Sequence, residues 1–238
     1  MEAEKQAIRK AVWDRLERAG VARFPRPVVG RIPNFIGSEA AAEMLRRSES
    51  YISATTVKVN PDAPQRPVRE MALRDGKTLI MPTPRIRHGF LVLRAGDVPK
   101  SMLRRASTIG GMFELARKVE SAALPHVDLV VVGSVAVTGD GWRLGKGEGY
   151  AELEYAILRE MKVLDPDTPV FTTVHNLQLV ERIPHTAYDL PVDKIFTNTT
   201  VIECPRQPKP EGIMWEMLKP EKLAEIPLLA EIYRRRKT

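Results

Sequence analysis

The run LVVVGSVAV, residues 129–137, is apolar or small at every position and carries no charge. A strand with one wet face would alternate, so this run predicts a strand covered on both faces, the condition of a parallel sheet held between helical layers. The rest of the chain supplies its partners. Short apolar, β-branched runs at Tyr51–Val57, Thr78–Met81, Val170–Val174 and Lys194–Ile202 predict further strands, and helical spacing near residues 38–47, 67–75, 111–122 and 150–162 predicts helices between them. An opening helix over residues 3–19 puts Ile8, Val12 and Leu16 on one stripe for packing on the sheet, and an amphipathic helix over residues 220–235 closes the chain. The architecture these patterns define is a three-layer α/β/α fold with a mostly parallel sheet. No fixed-period repeat or Gly/Ser linker divides the chain, so residues 1–238 read as a single α/β domain.

Composition narrows the function. An apolar content of 43% supports a packed core without staples, and a lone cysteine, Cys204, excludes a disulfide framework or a zinc finger, which points to a reducing, cytoplasmic setting. No apolar run approaches the roughly 20 residues of a membrane span, and the opening MEAEKQAIRK lacks the apolar stretch of a signal peptide, so no membrane association is expected. Residues 1–105 hold 21 Lys/Arg against 11 Asp/Glu, whereas residues 106–238 hold 16 against 19. A positive first half can steer phosphates, polyanionic small substrates or RNA. Aromatics at 6% argue against a base-stacking RNA surface, and His88, His126, His175 and His185 lack metal-ligand spacing.

The segment DGWRLGKGEGYAELEY, residues 140–155, joins the most apolar strand to a helix. Gly145, Gly147 and Gly149 let the backbone approach a ligand closely, so that successive N–H groups line a concavity and the helix starting near Tyr150 adds its positive end. That geometry suits phosphate. Arg143 and Lys146 add fixed positive charge, and Glu148 and Glu152 are candidates for a magnesium ion bridging phosphates. The loop matches neither the dinucleotide fingerprint G-x-G-x-x-G nor G-x-x-x-x-G-K-[ST], which disfavours a Rossmann dehydrogenase or a P-loop enzyme. Trp142 is available to stack on a flat heterocycle, and Arg85 and Arg87 to meet a phosphate or a carboxylate tail.

The loop resembles the signature Arg-Leu-Gly-(Arg/Lys)-Gly-x-Gly-Tyr of the 5-formyltetrahydrofolate cyclo-ligases, read here as Arg143, Leu144, Gly145, Lys146, Gly147, Glu148, Gly149 and Tyr150. The likeness extends to Lys5 and Arg9, one helical turn apart, to Gly76, Lys77 and the strand ending at Pro82, and to Gln178, Ile183, Pro184, Asp189, Asp193 and Thr197. Where the usual motif continues Gly-Tyr-Tyr-Asp-Arg, this chain has Gly149, Tyr150, Ala151, Glu152 and Leu153, which is closer to the divergent methenyltetrahydrofolate synthetase domain-containing branch.

The resemblance implies a fold similar to that of ribose-phosphate isomerases and CoA transferases. It also implies an ATP- and Mg²⁺-dependent closure of 5-formyltetrahydrofolate to 5,10-methenyltetrahydrofolate, with release of ADP and phosphate. By the same resemblance Lys5, Arg9, Arg143 and Lys146 are the catalytic cations. ATP is held by these four together with Gly145, Gly147, Glu148, Gly149 and Tyr150; Asp62, Trp142 and Tyr150 face the folate, and Glu152 is the metal ligand. A monomer or homodimer is expected. The rival readings are a non-catalytic nucleotide- or RNA-binding relative, using Arg46 and Arg47 or Arg104 and Arg105, and, further off, a sugar-phosphate or CoA-handling enzyme.

Overall fold

A computed structural model describes residues 1–118 and 123–237. Numbered in chain order, the helices are α1 (Glu2–Arg18), α2 (Ser38–Arg46), α3 (Glu49–Ser53), α4 (Arg66–Arg74), α5 (Leu103–Ala106), α6 (Ile109–Leu115), α7 (Tyr150–Glu160), α8 (Pro220–Glu225) and α9 (Pro227–Lys237). The strands are β1 (Thr56–Val59), β2 (Thr78–Pro82), β3 (Phe90–Arg94), β4 (Arg117–Lys118), β5 (Leu129–Val132), β6 (Ala136–Val137), β7 (Arg143–Leu144), β8 (Val170–Thr173), β9 (Lys194–Phe196) and β10 (Val201–Glu203). Eight strands form one sheet in the order β10-β9-β8-β5-β1-β2-β3-β4, whose central five run parallel, while β6 and β7 pair apart as a small antiparallel ribbon.

The sheet is covered on both faces, as the apolar runs require. Val57, Val59, Leu79, Leu129 and Val131 point into a cluster with α2 and α4, through Ala41, Leu45, Val68 and Ala72. Ile80, Val130, Val132 and Ile195 point the other way, into a cluster with Leu153, Ala156 and Ile157 of α7 and Leu229 and Ile232 of α9. This is the three-layer architecture the sequence predicts. Helix α1 stands outside it: Val12, Trp13 and Leu16 pack with Val135, Ala136 and Leu144, so α1 covers the ribbon rather than the main sheet.

Several predicted elements are redrawn by local chemistry. Tyr51–Val57 is half helix, because the Ser48 hydroxyl accepts from the backbone N–H of Tyr51 and starts α3, leaving the strand to begin at Thr56. The run 129–137 breaks after Val132, because Gly133 leaves no room for a side chain. A Cβ there would come within 2.9 Å of Asp62 Oδ2 and of Ile32. Lys194–Ile202 folds back on itself where the Thr197 hydroxyl accepts from the N–H groups of Thr199 and Thr200. The helix predicted over 111–122 ends at Leu115, its next residues pair as β4 with β3, and residues 119–122 lie outside the described residues. The closing helix is split at Pro227.

The sheet order places a topological switch between β1 and β5, since the chain leaves β1 toward β2 on one side and leaves β5 toward β8 on the other. The carboxyl ends of those two strands, running into Asn60 and Asp62 and into Gly133, open the crevice where α/β sheets bind ligands.

Candidate functional site

The glycine loop runs from β7 into α7. Gly147 (φ 103°) and Gly149 (φ 70°) occupy the left-handed region, and Gly149 caps α7. From the other side α1 presents its two buried cations. Arg9 Nε donates to the Gly145 carbonyl oxygen at 2.9 Å, and its Nη1 donates to Glu2 at 2.7 Å and to Gln6 at 3.1 Å. The guanidinium lies 3.2 Å from where a Cβ of residue 147 would stand. Lys5 Nζ reaches both carboxylate oxygens of Asp189 at 2.8 Å, and Asp189 is in turn fixed by the backbone N–H (2.7 Å) and hydroxyl (3.0 Å) of Thr186.

A cavity opens on each side of this loop. One, of about 590 Å³, is bordered by Lys5, Arg9 and Asp189, by the loop at Gly145 and Gly147, and by Met214 and Leu218 of the C-terminal segment. The other, of about 830 Å³, lies over the topological switch and is bordered by Asn60, Asp62, Gly133, Arg143, Lys146 and Glu154. Gly145, Glu148, Gly149 and Glu152 border both. The four cations expected to act together are therefore divided, with Lys5 and Arg9 on one side and Arg143 and Lys146 on the other.

The electrostatics of the second cavity are dense. Arg143 is buried, donates from Nη1 to the Gly133 carbonyl oxygen at 2.9 Å and pairs through Nη2 with Glu152. Its buried Nε has no hydrogen-bond partner among the described residues. Burial pushes the Asp62 carboxyl above the usual carboxylate range, against the pull of Lys146, Arg69, Lys58 and Arg143. Lys146 pairs with Glu148 at 2.8 Å and stays partly open to solvent. Arg85 and Ile86 adopt left-handed backbone (φ 56° and 57°) in the turn after β2, which carries Arg85 to the rim.

Tyr150, the first residue of α7, borders this cavity and is tied to the C-terminal segment by a hydrogen bond from its hydroxyl to Glu225 at 2.8 Å. Burial and that bond push its hydroxyl up to about 12. Trp142 is not brought to either cavity. It stacks on His185 with ring centroids 3.6 Å apart, over a separate hollow bordered by Thr138, Asp140 and Ile183, and packs in the cluster that α1 forms with the β6–β7 ribbon. Glu152 spends one oxygen on Arg143, and among the described residues no three carboxylate, imidazole or thiolate groups gather as a metal site. The donor set still fits magnesium that arrives with a phosphate, which needs only one or two carboxylates from the protein.

Two site features are not expected from the sequence. Lys58 of β1 is fully buried and donates to Asn60 Oδ1 and Glu154 Oε2, both at 2.6 Å. Its signal is a charge inside an otherwise apolar strand. Burial raises the Glu154 carboxyl, with Lys58 pulling it back. Asp189, part of the late motif but with no role attached to it, holds Lys5. Other residues of that motif are scaffold: Gln178 Nε2 donates to the Ser134 and Val135 carbonyl oxygens where the chain leaves β5, and Asp193 accepts from the Val170 N–H. The arginines of the RNA reading are largely engaged, Arg46 with Asp75, Arg47 with Glu43 and Arg105 with Glu114.

A glycine loop beside the switch point of an α/β sheet, with a cavity on either side, gives the chain the architecture of an α/β ligand-binding protein. Residues 1–198 match the 5-formyltetrahydrofolate cyclo-ligase family, and the chain belongs to that family. The chain is 47% identical over 98% of its length to the methenyltetrahydrofolate synthase domain-containing protein of Mus musculus, and 42% identical over 96% to that of Homo sapiens, and spans 64% and 61% of those proteins. The NMR structure of Aquifex aeolicus 5,10-methenyltetrahydrofolate synthetase superposes with a TM-score of 0.55 at 21% identity, covering 85% of this chain and 94% of that one, a likeness of fold. Among the described residues no helix is long and apolar enough to cross a membrane.

Proposed function

We propose that the protein closes 5-formyltetrahydrofolate to 5,10-methenyltetrahydrofolate at the expense of ATP. The observation that carries this reading is the glycine loop with a cavity on either side, one bordered by Lys5 and Arg9 and the other by Arg143 and Lys146 among their cations. ATP enters on the α1 side, with its phosphates at Lys5, Arg9 and the loop N–H groups of Gly145, Gly147, Glu148 and Gly149. The folate enters over the switch point, facing Asp62 and Tyr150. The formyl oxygen attacks the γ-phosphorus as the bond to the ADP oxygen breaks. N10 then attacks the activated formyl carbon, phosphate leaves, and N10 loses its proton.

No protein nucleophile is needed. The chain's part is to hold the two reactants on either side of the loop and to neutralise the phosphoryl charge, with Arg143 and Lys146 on the folate side. Magnesium brought in with the nucleotide would draw oxygen ligands from Glu148 and Glu152 and further neutralise the phosphates. A cytoplasmic setting suits the lone Cys204, whose thiol burial pushes up to about 11, far from the thiolate.

The test is the absorbance of the methenyl product from purified protein, 5-formyltetrahydrofolate, Mg²⁺ and ATP. Product should require ATP. Lys146→Ala, at a partly exposed position that the fold does not need, should lower kcat by roughly a hundredfold, the scale of one preorganised charge donor. Folded protein that binds both ligands and yields no product would overturn the reading.

A further inference from the structure

The region matched by the family ends at residue 198, whereas the relatives align across 96–98% of the chain and so share most of the residues after 198 as well. That later segment is part of the site. It leaves β10, runs through Pro210 and Gly212, and returns across the mouth of the α1-side cavity, where Ile213, Met214, Met217, Leu218 and Lys222 form the wall opposite Lys5, Arg9 and the loop.

The wall has two chemistries. Its upper part is apolar and rich in methionine, with Met217 left 59% exposed over the opening. Flexible thioether side chains beside a phosphate loop make an adaptable apolar bed for a flat ring. Its lower part is cationic. Lys222 Nζ sits 3.3 Å above the centre of the Tyr150 ring and 3.9 Å from Glu225, whose carboxylate also takes the Tyr150 hydroxyl at 2.8 Å and faces Arg85 and Arg87 at 3.6 and 3.5 Å. The ammonium is thus held at the end of the glycine loop by the loop's own tyrosine.

We propose that residues 210–225 are a nucleotide clamp built from sequence beyond the family-wide region: Met214, Met217 and Leu218 bed the purine, and Lys222 is a third phosphate cation beside Lys5 and Arg9. The proposal rests on the reading that ATP occupies the α1-side cavity. Tyr150 is the seat of Lys222, and that seat needs the ring and the hydroxyl.

Calorimetric titration with ATP and with inorganic tripolyphosphate separates the two chemistries. Met217→Ser, at an exposed position that folding tolerates, combined with Met214→Ser, should weaken ATP by about tenfold, the scale of a lost apolar side-chain contact, and leave tripolyphosphate unchanged. Lys222→Gln should weaken both ligands by roughly tenfold, the scale of a lost charge-assisted hydrogen bond, and raise KM for ATP while KM for the folate stays put. Variants that bind ATP as the parent does would overturn the clamp and leave the ATP cavity standing. A parent protein that binds neither ligand would overturn the cavity assignment and the clamp with it.

Discussion

Asp75 receives two hydrogen bonds from Arg46, at 2.8 and 2.6 Å, and one from the buried Tyr51 hydroxyl at 2.8 Å. The Arg46 hydrogen bonds, helped by Tyr51, hold its carboxyl below the usual value of 3.8. A carboxylate whose folded value is depressed adds stability that is present above the unfolded value and lost as pH falls through the folded one. Asp75→Asn should therefore lower the melting temperature by a few degrees at pH 7 and by progressively less as pH falls below the unfolded carboxylate value; a constant difference across a melting series would refute this. The Lys58–Glu154 pair makes a different kind of prediction. Both partners are buried, so Lys58→Met strands a carboxylate and should cost about 3–5 kcal/mol, whereas the apolar double variant Lys58→Met, Glu154→Leu should regain most of that. If the pair serves the cavity that Glu154 borders, the double variant is stable to denaturant yet forms little product. Full activity in it would reduce the pair to a fixture of the fold.

At the scale of the elements, the loop separates glycines that look alike in sequence. Gly147 combines a φ of 103° with a guanidinium 3.2 Å from its missing Cβ, while Gly145 is outside the left-handed region and faces the Arg143 guanidinium at 3.3 Å. Gly147→Ala should thus cost about 1–3 kcal/mol in stability and displace Arg9, lowering activity more than tenfold, and Gly145→Ala, which adds no left-handed strain, should cost markedly less stability. Equal effects in a denaturation and turnover comparison would contradict the loop geometry. Legibility in the sequence follows the same contrast between pattern and contact. Strand and helix types are legible where burial is two-sided, as in Leu129–Val132 and Val170–Thr173, because a continuous apolar run has few other uses. They fail where one polar contact redirects the backbone, as the Ser48 hydroxyl does before Tyr51 and the Thr197 hydroxyl does after Phe196. The loop and its cations are legible as a motif. Its division into two sides is not, because it depends on β6 and β7 leaving the main sheet, and neither two-residue strand carries a periodicity to read. Trp142 is misplaced for the same reason: adjacency to the loop in sequence says nothing about which face of the ribbon a side chain takes.

Across the whole molecule, the α1-side cavity is made by three segments that lie far apart in sequence: the first helix, the glycine loop and the stretch from Pro210 to Lys222. Among the described residues their direct contacts include Arg9 to the Gly145 carbonyl oxygen and the Lys222 ammonium over the ring of Tyr150, which follows the loop. A triphosphate bound among them would tie all three together, and because it binds only the folded chain it stabilises by mass action, by about 2.7 kcal/mol at a hundredfold excess over Kd. For a domain of this size that amounts to roughly 5–10 °C in the melting temperature. The expected result with Mg²⁺ and ATP is a shift of that order, accompanied by amide-exchange protection that appears together in the first turns of α1, in Gly145–Gly149 and around Met214–Lys222. Single-stranded RNA should produce no such pattern, because three of the four arginines of the RNA reading, Arg46, Arg47 and Arg105, are already paired with Asp75, Glu43 and Glu114. Protection confined to the arginine-bearing face, produced by RNA, weakened steeply by salt and absent with ATP, would move the functional surface away from the loop altogether.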